Sequence, residues 1–182
     1  MVFSSVTFLY YFLPAFLLCY FATPGTRAKN FVLLVFSLVF YAWGGLFNVA
    51  VLAVSMVGNY LLALLIDGRS DRWRLRALGL AVAFNLAGLI LFKYAAFLAE
   101  NLNLLLGPLG HPLPVVHLEL PLGISFFTFH AISYLVDVYR RRMKANARFE
   151  EIAVYITMFP QLVAGPIVRY STIAHRIRAR RT

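Results

Sequence analysis

The sequence predicts an all-α, multi-pass transmembrane protein, with about five spanning helices followed by a re-entrant broken helix. Three observations carry that expectation. The 182 residues are 62% hydrophobic, 16% aromatic and only 13% charged, with a mean hydropathy of +0.78. The few charges are crowded into short runs, and the apolar intervals between them have the length of bilayer crossings. The last apolar stretch, FPQLVAGPIVRY at 159–170, carries Pro160, Gly165 and Pro166 where a crossing helix would be unbroken. Irregular backbone at membrane depth is tolerated only where protein or a water-filled cavity satisfies its polar groups.

The first crossing is expected from Val2 to Ala22, ended by Thr23-Pro24-Gly25. No Lys or Arg occurs before position 27, so there is no basic n-region of a cleavable signal peptide and this run stays as a helix. Cys19, the only cysteine, is read as a buried structural thiol. Positions 30 to 66 hold no charge and as one helix would run to about 55 Å, against a hydrocarbon core of about 30 Å. Two crossings are therefore expected, with the turn at Trp43-Gly44-Gly45. A fourth runs from Leu75 to Phe97, with Lys93 as a snorkelling anchor and Gly79, Ala83 and Ala87 forming a small-residue row for a neighbouring helix. Asn59 and Asn85 are expected to bond between helices. The fifth spans Leu120 to Tyr139.

A net charge of +10 would suggest nucleic acid in a soluble domain, but here the basic residues lie between apolar segments and read as cytoplasmic membrane-flanking charge, with no nucleic-acid partner. The turns at 23–29, 67–76 and 140–148 are rich in Lys and Arg, whereas the turn near 43–48 and the connection at 100–119 have none. The positive-inside rule then places the N-terminus outside and the basic turns in the cytoplasm. A full crossing over Ile152 to Val168 would put Arg169, Arg176, Arg178, Arg180 and Arg181 outside. A half-helix over 152–168 that dips in, breaks at Phe159-Pro160-Gln161 or Gly165-Pro166 and returns keeps both Arg clusters inside, the alternative being a proline-kinked crossing.

Four stretches resemble the membrane-bound O-acyltransferase family, in its bacterial branch of alginate O-acetylation and D-alanyl transfer proteins. They are MVFSSVTFLYYFLP at the start, LFKYAAF at 91–97, LPLGISFFTFHAISYLVDVYR at 120–140 and MFPQLVAGPIVRY at 158–170, with the alginate wording the nearer. The resemblance implies an enzyme that takes an acyl group, acetyl in the alginate branch, from a cytoplasmic acyl-CoA or acyl-carrier thioester. The acceptor is an exported polysaccharide or a periplasmic acyl-relay protein, and no cofactor is held. Family members are two to three times this length, and their signature histidine lies in a later intramembrane region, so no catalytic residue is expected among 1–182. The chain is expected to be the N-terminal transmembrane part of a bacterial inner-membrane enzyme, inactive without the remainder of the polypeptide. A transporter or export subunit of the cell envelope is the alternative reading, since discontinuous helices also mark transport sites.

Among the polar residues, Gln161, Arg169 and Tyr170 in the broken segment are the leading candidates for a donor-binding or channel wall. Gln161 follows Pro160, where freed carbonyls need donors, and Arg169 suits donor phosphates or an acidic carrier, or else anchors at the membrane surface. His130 is ionisable at membrane depth. Relatives commonly carry glutamine there, so packing or substrate orientation is favoured over general-base chemistry. Ser125 and Thr128 are expected to bond helix carbonyls or a neighbouring helix. Asp137 lies three and four residues before Arg140 and Arg141, the spacing of a helix-end ion pair, or else it ties this helix to Arg169 or another cation beside the broken segment. His111 and His117, in a Pro-rich loop, do not have metal-ligand spacing, and no metal site is expected.

Overall fold

The computed structural model describes residues 5–106, 114–115, 118–145, 148–165 and 168–178, and among them every regular element is a helix. His111, His117 and Pro166 lie outside the described residues. A π-helical turn, Phe8–Phe12, leads into α1 (Leu13–Ala22). Pro14 accounts for it: without an N–H, and with a ring that would meet the carbonyl four residues back, it opens the helix by one residue, and the Leu13 N–H reaches the Phe8 carbonyl instead. α2 (Thr26–Ala42) and α3 (Leu46–Asp67) meet at the Trp43-Gly44-Gly45 turn, as the charge-free interval required. Gly45 there has φ 117°, a conformation that favours glycine.

α4 (Asp71–Leu106) extends well past the expected 75–97 at both ends. Its 36 residues would measure about 54 Å, so it projects beyond a hydrocarbon core or tilts strongly. Among the described residues α3 and α4 are long and apolar enough to cross a bilayer unaided, while Phe8–Ala22 and Ile124–Tyr139 are shorter apolar helices. The row of Gly79, Ala83 and Ala87 is exposed and seats no helix closely among the described residues. α4 instead packs through Ala77, Ala81 and Asn85, and the close approach is at Gly58 of α3, where an added Cβ would lie 2.7 Å from Phe84 Cζ. Asn59 and Asn85 exchange side-chain bonds at 3.1 and 2.7 Å, the interhelical pair expected of them.

α5 (Ile124–Tyr139) begins four residues later than its apolar run, because Pro121 and the left-handed Gly123 (φ 70°) precede it. It ends in a Schellman motif with Arg141 in the left-handed position (φ 56°): Arg141 N–H bonds the Val138 carbonyl and Arg142 N–H the Asp137 carbonyl. Arg74, one of the four arginines of the 67–76 basic run, is buried and donates to the carbonyls of Val138 and Tyr139 at 2.8 and 3.1 Å, closing the same helix end. Arg141 pairs with Asp71 at 2.6 Å, and Asp67 accepts the Ala145 N–H at 3.0 Å. Two basic turns are thus stitched together by two aspartates.

α6 (Phe149–Thr157) is buried from Glu151 onward and stops at Met158 (φ −48°, ψ 104°). The break falls just ahead of the expected Phe159-Pro160-Gln161, because the Pro160 ring would collide with the Ile156 carbonyl of a continuing helix. Pro160 is tolerated in the first turn of α7 (Phe159–Ala164), which ends at Gly165. Phe159 is the anchor of the break: its ring centroid lies 5.2 to 6.1 Å from those of Phe8, Phe12, Phe16 and Phe40. The chain then doubles back. Val168 lies beside Tyr155, Tyr170 beside Glu151, and α8 (Tyr170–Arg178) brings Arg178 to the start of α6.

Candidate functional site

The break and the doubled-back chain enclose a line of polar groups. α6 has 9 residues, so Met158 lies about 13 Å from its start. His130 of α5 is fully buried at the same end, with its Nε2 3.0 Å from the amide Nε2 of half-buried Gln161. With that amide donating, Nε2 accepts and the ring proton sits on Nδ1, a buried group without a partner among the described residues. Gly165 permits the wall to close here, since a Cβ would fall 2.7 Å from Gln161 Cα.

From His130 the line runs along α6. The Tyr155 ring stands edge-on to His130 and to Tyr170, with centroids at 5.3 and 5.1 Å, and its hydroxyl donates to the Val168 carbonyl at 2.9 Å. Tyr170 is fully buried, and its hydroxyl donates to Glu151 Oε2 at 3.2 Å. Arg178 Nε donates to the same oxygen at 2.8 Å, and Arg148 lies 3.7 Å from Oε1. The Glu151 carboxylate raises the Arg178 guanidinium above its ordinary pKa, chiefly through that hydrogen bond. A nearly buried carboxylate is thereby neutralised at the basic end of the line.

Asp137, 2% exposed, uses neither Arg140 nor Arg141, and it does not pair with Arg169. Because the helix ends at Tyr139 and turns left-handed at Arg141, the cation brought back is Arg142, at 3.6 Å, and Ser171 Oγ donates to Asp137 at 2.9 Å. α5 is therefore tied to α8 by a hydroxyl. Arg169 is exposed at the start of α8, and its side chain makes no bond among the described residues. Among the described residues Ser125 and Thr128 bond neither a helix carbonyl nor a neighbouring helix, whereas Ser37 and Thr157 bond helix carbonyls at 2.7 and 2.8 Å. Of the expected site residues, the structure joins His130 directly to Gln161 and places Tyr170 in the same line. Asp137 and Arg169 lie off it, Asp137 tied to Ser171 of α8 and Arg169 exposed just ahead of that helix.

Glu151, Tyr155 and Arg178 are in the line and escaped the sequence reading. Tyr155 looked like one more aromatic in an apolar run, and Arg178 was counted with the membrane-flanking charge. A usable signal existed: Glu151 is an acid opening an apolar segment between two basic clusters, where a buried counter-ion is needed.

The chain is 39% identical, over 183 aligned residues covering 99% of it, to a probable alginate O-acetylase of Azotobacter vinelandii. It is 40% identical over the same share to the probable alginate O-acetylase of Pseudomonas aeruginosa. A peptidoglycan O-acetyltransferase of Helicobacter pylori is 34% identical over 94% of the chain. The chain spans only 36%, 35% and 37% of these three relatives. No family model matches it, and no solved structure does.

Proposed function

We propose that this chain, a homologue of named O-acetyltransferases along nearly its whole length, is the N-terminal transmembrane part of a membrane-bound O-acyltransferase of the bacterial inner membrane. The full-length enzyme moves an acetyl group from a cytoplasmic thioester, acyl-CoA or an acyl carrier, to an exported polysaccharide or its periplasmic relay protein. The observation that carries this reading is the identity to two alginate O-acetylases over 99% of the chain. Five helices cross, the N-terminus is external, and the 149–165 segment re-enters from the cytoplasmic side. The doubled-back chain supports re-entry, because Arg178 returns to the residue, Glu151, from which α6 departs.

The geometry suits a donor funnel. A thioester approaching from the cytoplasm needs a polar route to mid-depth, and the line from Glu151 to His130 supplies one. Arg169 is free to meet donor phosphates at the mouth. Gln161 forms the wall, and the His130 Nδ1–H is placed to orient a carbonyl oxygen rather than to act as a base. The acyl-transfer step itself belongs to residues beyond this segment, and the segment alone is inactive.

The test uses full-length protein in inside-out membrane vesicles with radiolabelled acetyl-CoA. The proposal predicts donor consumption and label transfer to a lumenal acceptor. Arg169→Ala should raise KM for the donor with little change in kcat, and unchanged donor dependence at normal protein level removes Arg169 from the route. If the thioester is not consumed while an already acetylated product crosses, the protein is an export subunit instead.

A further inference from the structure

A cavity opens at the basic end of the polar line, between α2, α6 and α8, and shares Glu151, Arg148 and Arg178 with it. It measures about 240 Å³, and its lining grades from charged to apolar. Thr26, Arg27, Arg148, Glu150 and Arg178 stand at the ends of their helices, while Phe31, Leu34 and Val154 lie one to two turns further in, about 7 to 12 Å deeper. That gradient matches an amphiphile entering from the face of the basic turns.

The charge at the mouth is not fully used inside the protein. Arg27 is exposed and makes no ion pair among the described residues. Arg178 bonds Glu151 through Nε and lies against the Tyr170 hydroxyl, while its side chain stays half exposed at the mouth. Glu150 opposes them as an exposed carboxylate, while Glu151 is already neutralised by Arg178 and Arg148. Asn30, also in the lining and 6% exposed, spends its Nδ2 on the Ile177 carbonyl at 2.8 Å and leaves Oδ1 buried without a donor. Guanidinium groups seek a phosphate, and an orphan amide oxygen seeks a hydroxyl or ammonium.

We propose that this cleft is a binding site for one glycerophospholipid of the cytoplasmic leaflet. The phosphate sits on Arg27 and the Arg178 fork, a hydroxyl or ammonium of the headgroup meets Asn30 and Glu150, and the acyl chains descend along Phe31 and Leu34. Basic pockets between membrane helices on the cytoplasmic side recognise headgroups by this chemistry. The inference rests on the membrane orientation proposed above, though not on the acyl-transfer reaction.

The experiment is native mass spectrometry of the full-length protein, counting retained lipid after delipidation and titration with phosphatidylglycerol, phosphatidylethanolamine or phosphatidylcholine. One retained phosphatidylglycerol or phosphatidylethanolamine is expected, bound more tightly than phosphatidylcholine, whose headgroup has no donor. Arg27→Gln should weaken binding about fivefold, and Glu150→Gln should strengthen phosphatidylglycerol binding by a similar factor. Both positions are exposed, so neither variant is expected to disturb folding. Equal retention of all three lipids, or no effect of Arg27→Gln, overturns the proposal. Displacement of bound phosphatidylglycerol by millimolar coenzyme A, but not by inorganic phosphate, overturns it in favour of a soluble donor. A protein extracted from membranes by carbonate would instead overturn the orientation on which it rests.

Discussion

Glu151→Gln should release α8 from α6. The carboxylate is 4% exposed and accepts from Tyr170 and Arg178 at 3.2 and 2.8 Å. A hydrogen bond to a charged group contributes about 1.5–3 kcal/mol and a neutral one about 0.5–1.5, so losing the charge costs about 1 kcal/mol per bond. The Arg178 side chain is half exposed, which discounts its share for solvent screening. The sum is about 1.5 kcal/mol, or a rise of about tenfold in the population with α8 open. Trypsin cleavage at Arg176 and Arg178 in the detergent-solubilised full-length protein reads that population, because proteolysis of a transiently opened segment follows its equilibrium when reclosing is fast. Cleavage at Arg69, in the turn ahead of α4, serves as the internal control. A change below twofold at 176–178, or an equal rise in the control turn, would refute the tether.

Other contacts give further tests. Arg74→Met removes two charge-assisted bonds to the end of α5 and should cost about 3 kcal/mol, with Arg74→Lys only a partial rescue because one ammonium would have to replace both Nη2, which makes the two bonds, and Nη1, which faces Asp67 at 3.8 Å; a melting shift no larger than that of exposed Arg72→Met would contradict the clamp. A double-mutant cycle of Asn59→Leu and Asn85→Leu should return a coupling of about 0.6–1.7 kcal/mol, and additive losses would dissolve the pair. Arg141→Gly should be more stable than Arg141→Ala by about 1–2 kcal/mol, since both lose Asp71 while alanine alone keeps the left-handed strain. Equal denaturation midpoints would show that the Schellman turn is not formed.

Much of the helical layout was legible because hydrocarbon length and charge position leave few options. The turn at Trp43-Gly44-Gly45 follows from a charge-free interval too long for one crossing, and the end of α1 follows from Pro24-Gly25. Helix ends set by backbone chemistry were less visible: Gly123 and Pro121 delay α5, Pro14 opens a π turn, and nothing stops α4 before Leu106. The face that a small-residue row presents cannot be read from its period alone, so Gly79, Ala83 and Ala87 were assigned to a contact that Ala77, Ala81 and Asn85 make. In the site, Gln161, His130 and Tyr170 stood out as polar or ring-bearing groups at a visible break. Glu151, Arg178 and Arg74 did not, because counting Lys and Arg by loop treats each cation as solvent-facing. The pairing of Asp137 with Arg142 rather than Arg140 or Arg141 depends on one left-handed residue, which no spacing rule contains.

The central claim is that the segment from α6 to α8 enters and leaves on the same side as the basic turns. Single-cysteine labelling tests it, in full-length protein with every native cysteine, the exposed Cys19 included, replaced by alanine and single cysteines placed at exposed positions Arg169, Arg141 and Trp43. A membrane-impermeant maleimide applied to inside-out vesicles should label positions 169 and 141 and spare 43, with the reverse in right-side-out vesicles. Labelling of position 169 together with 43, and apart from 141, would make the segment an ordinary crossing and contradict the account.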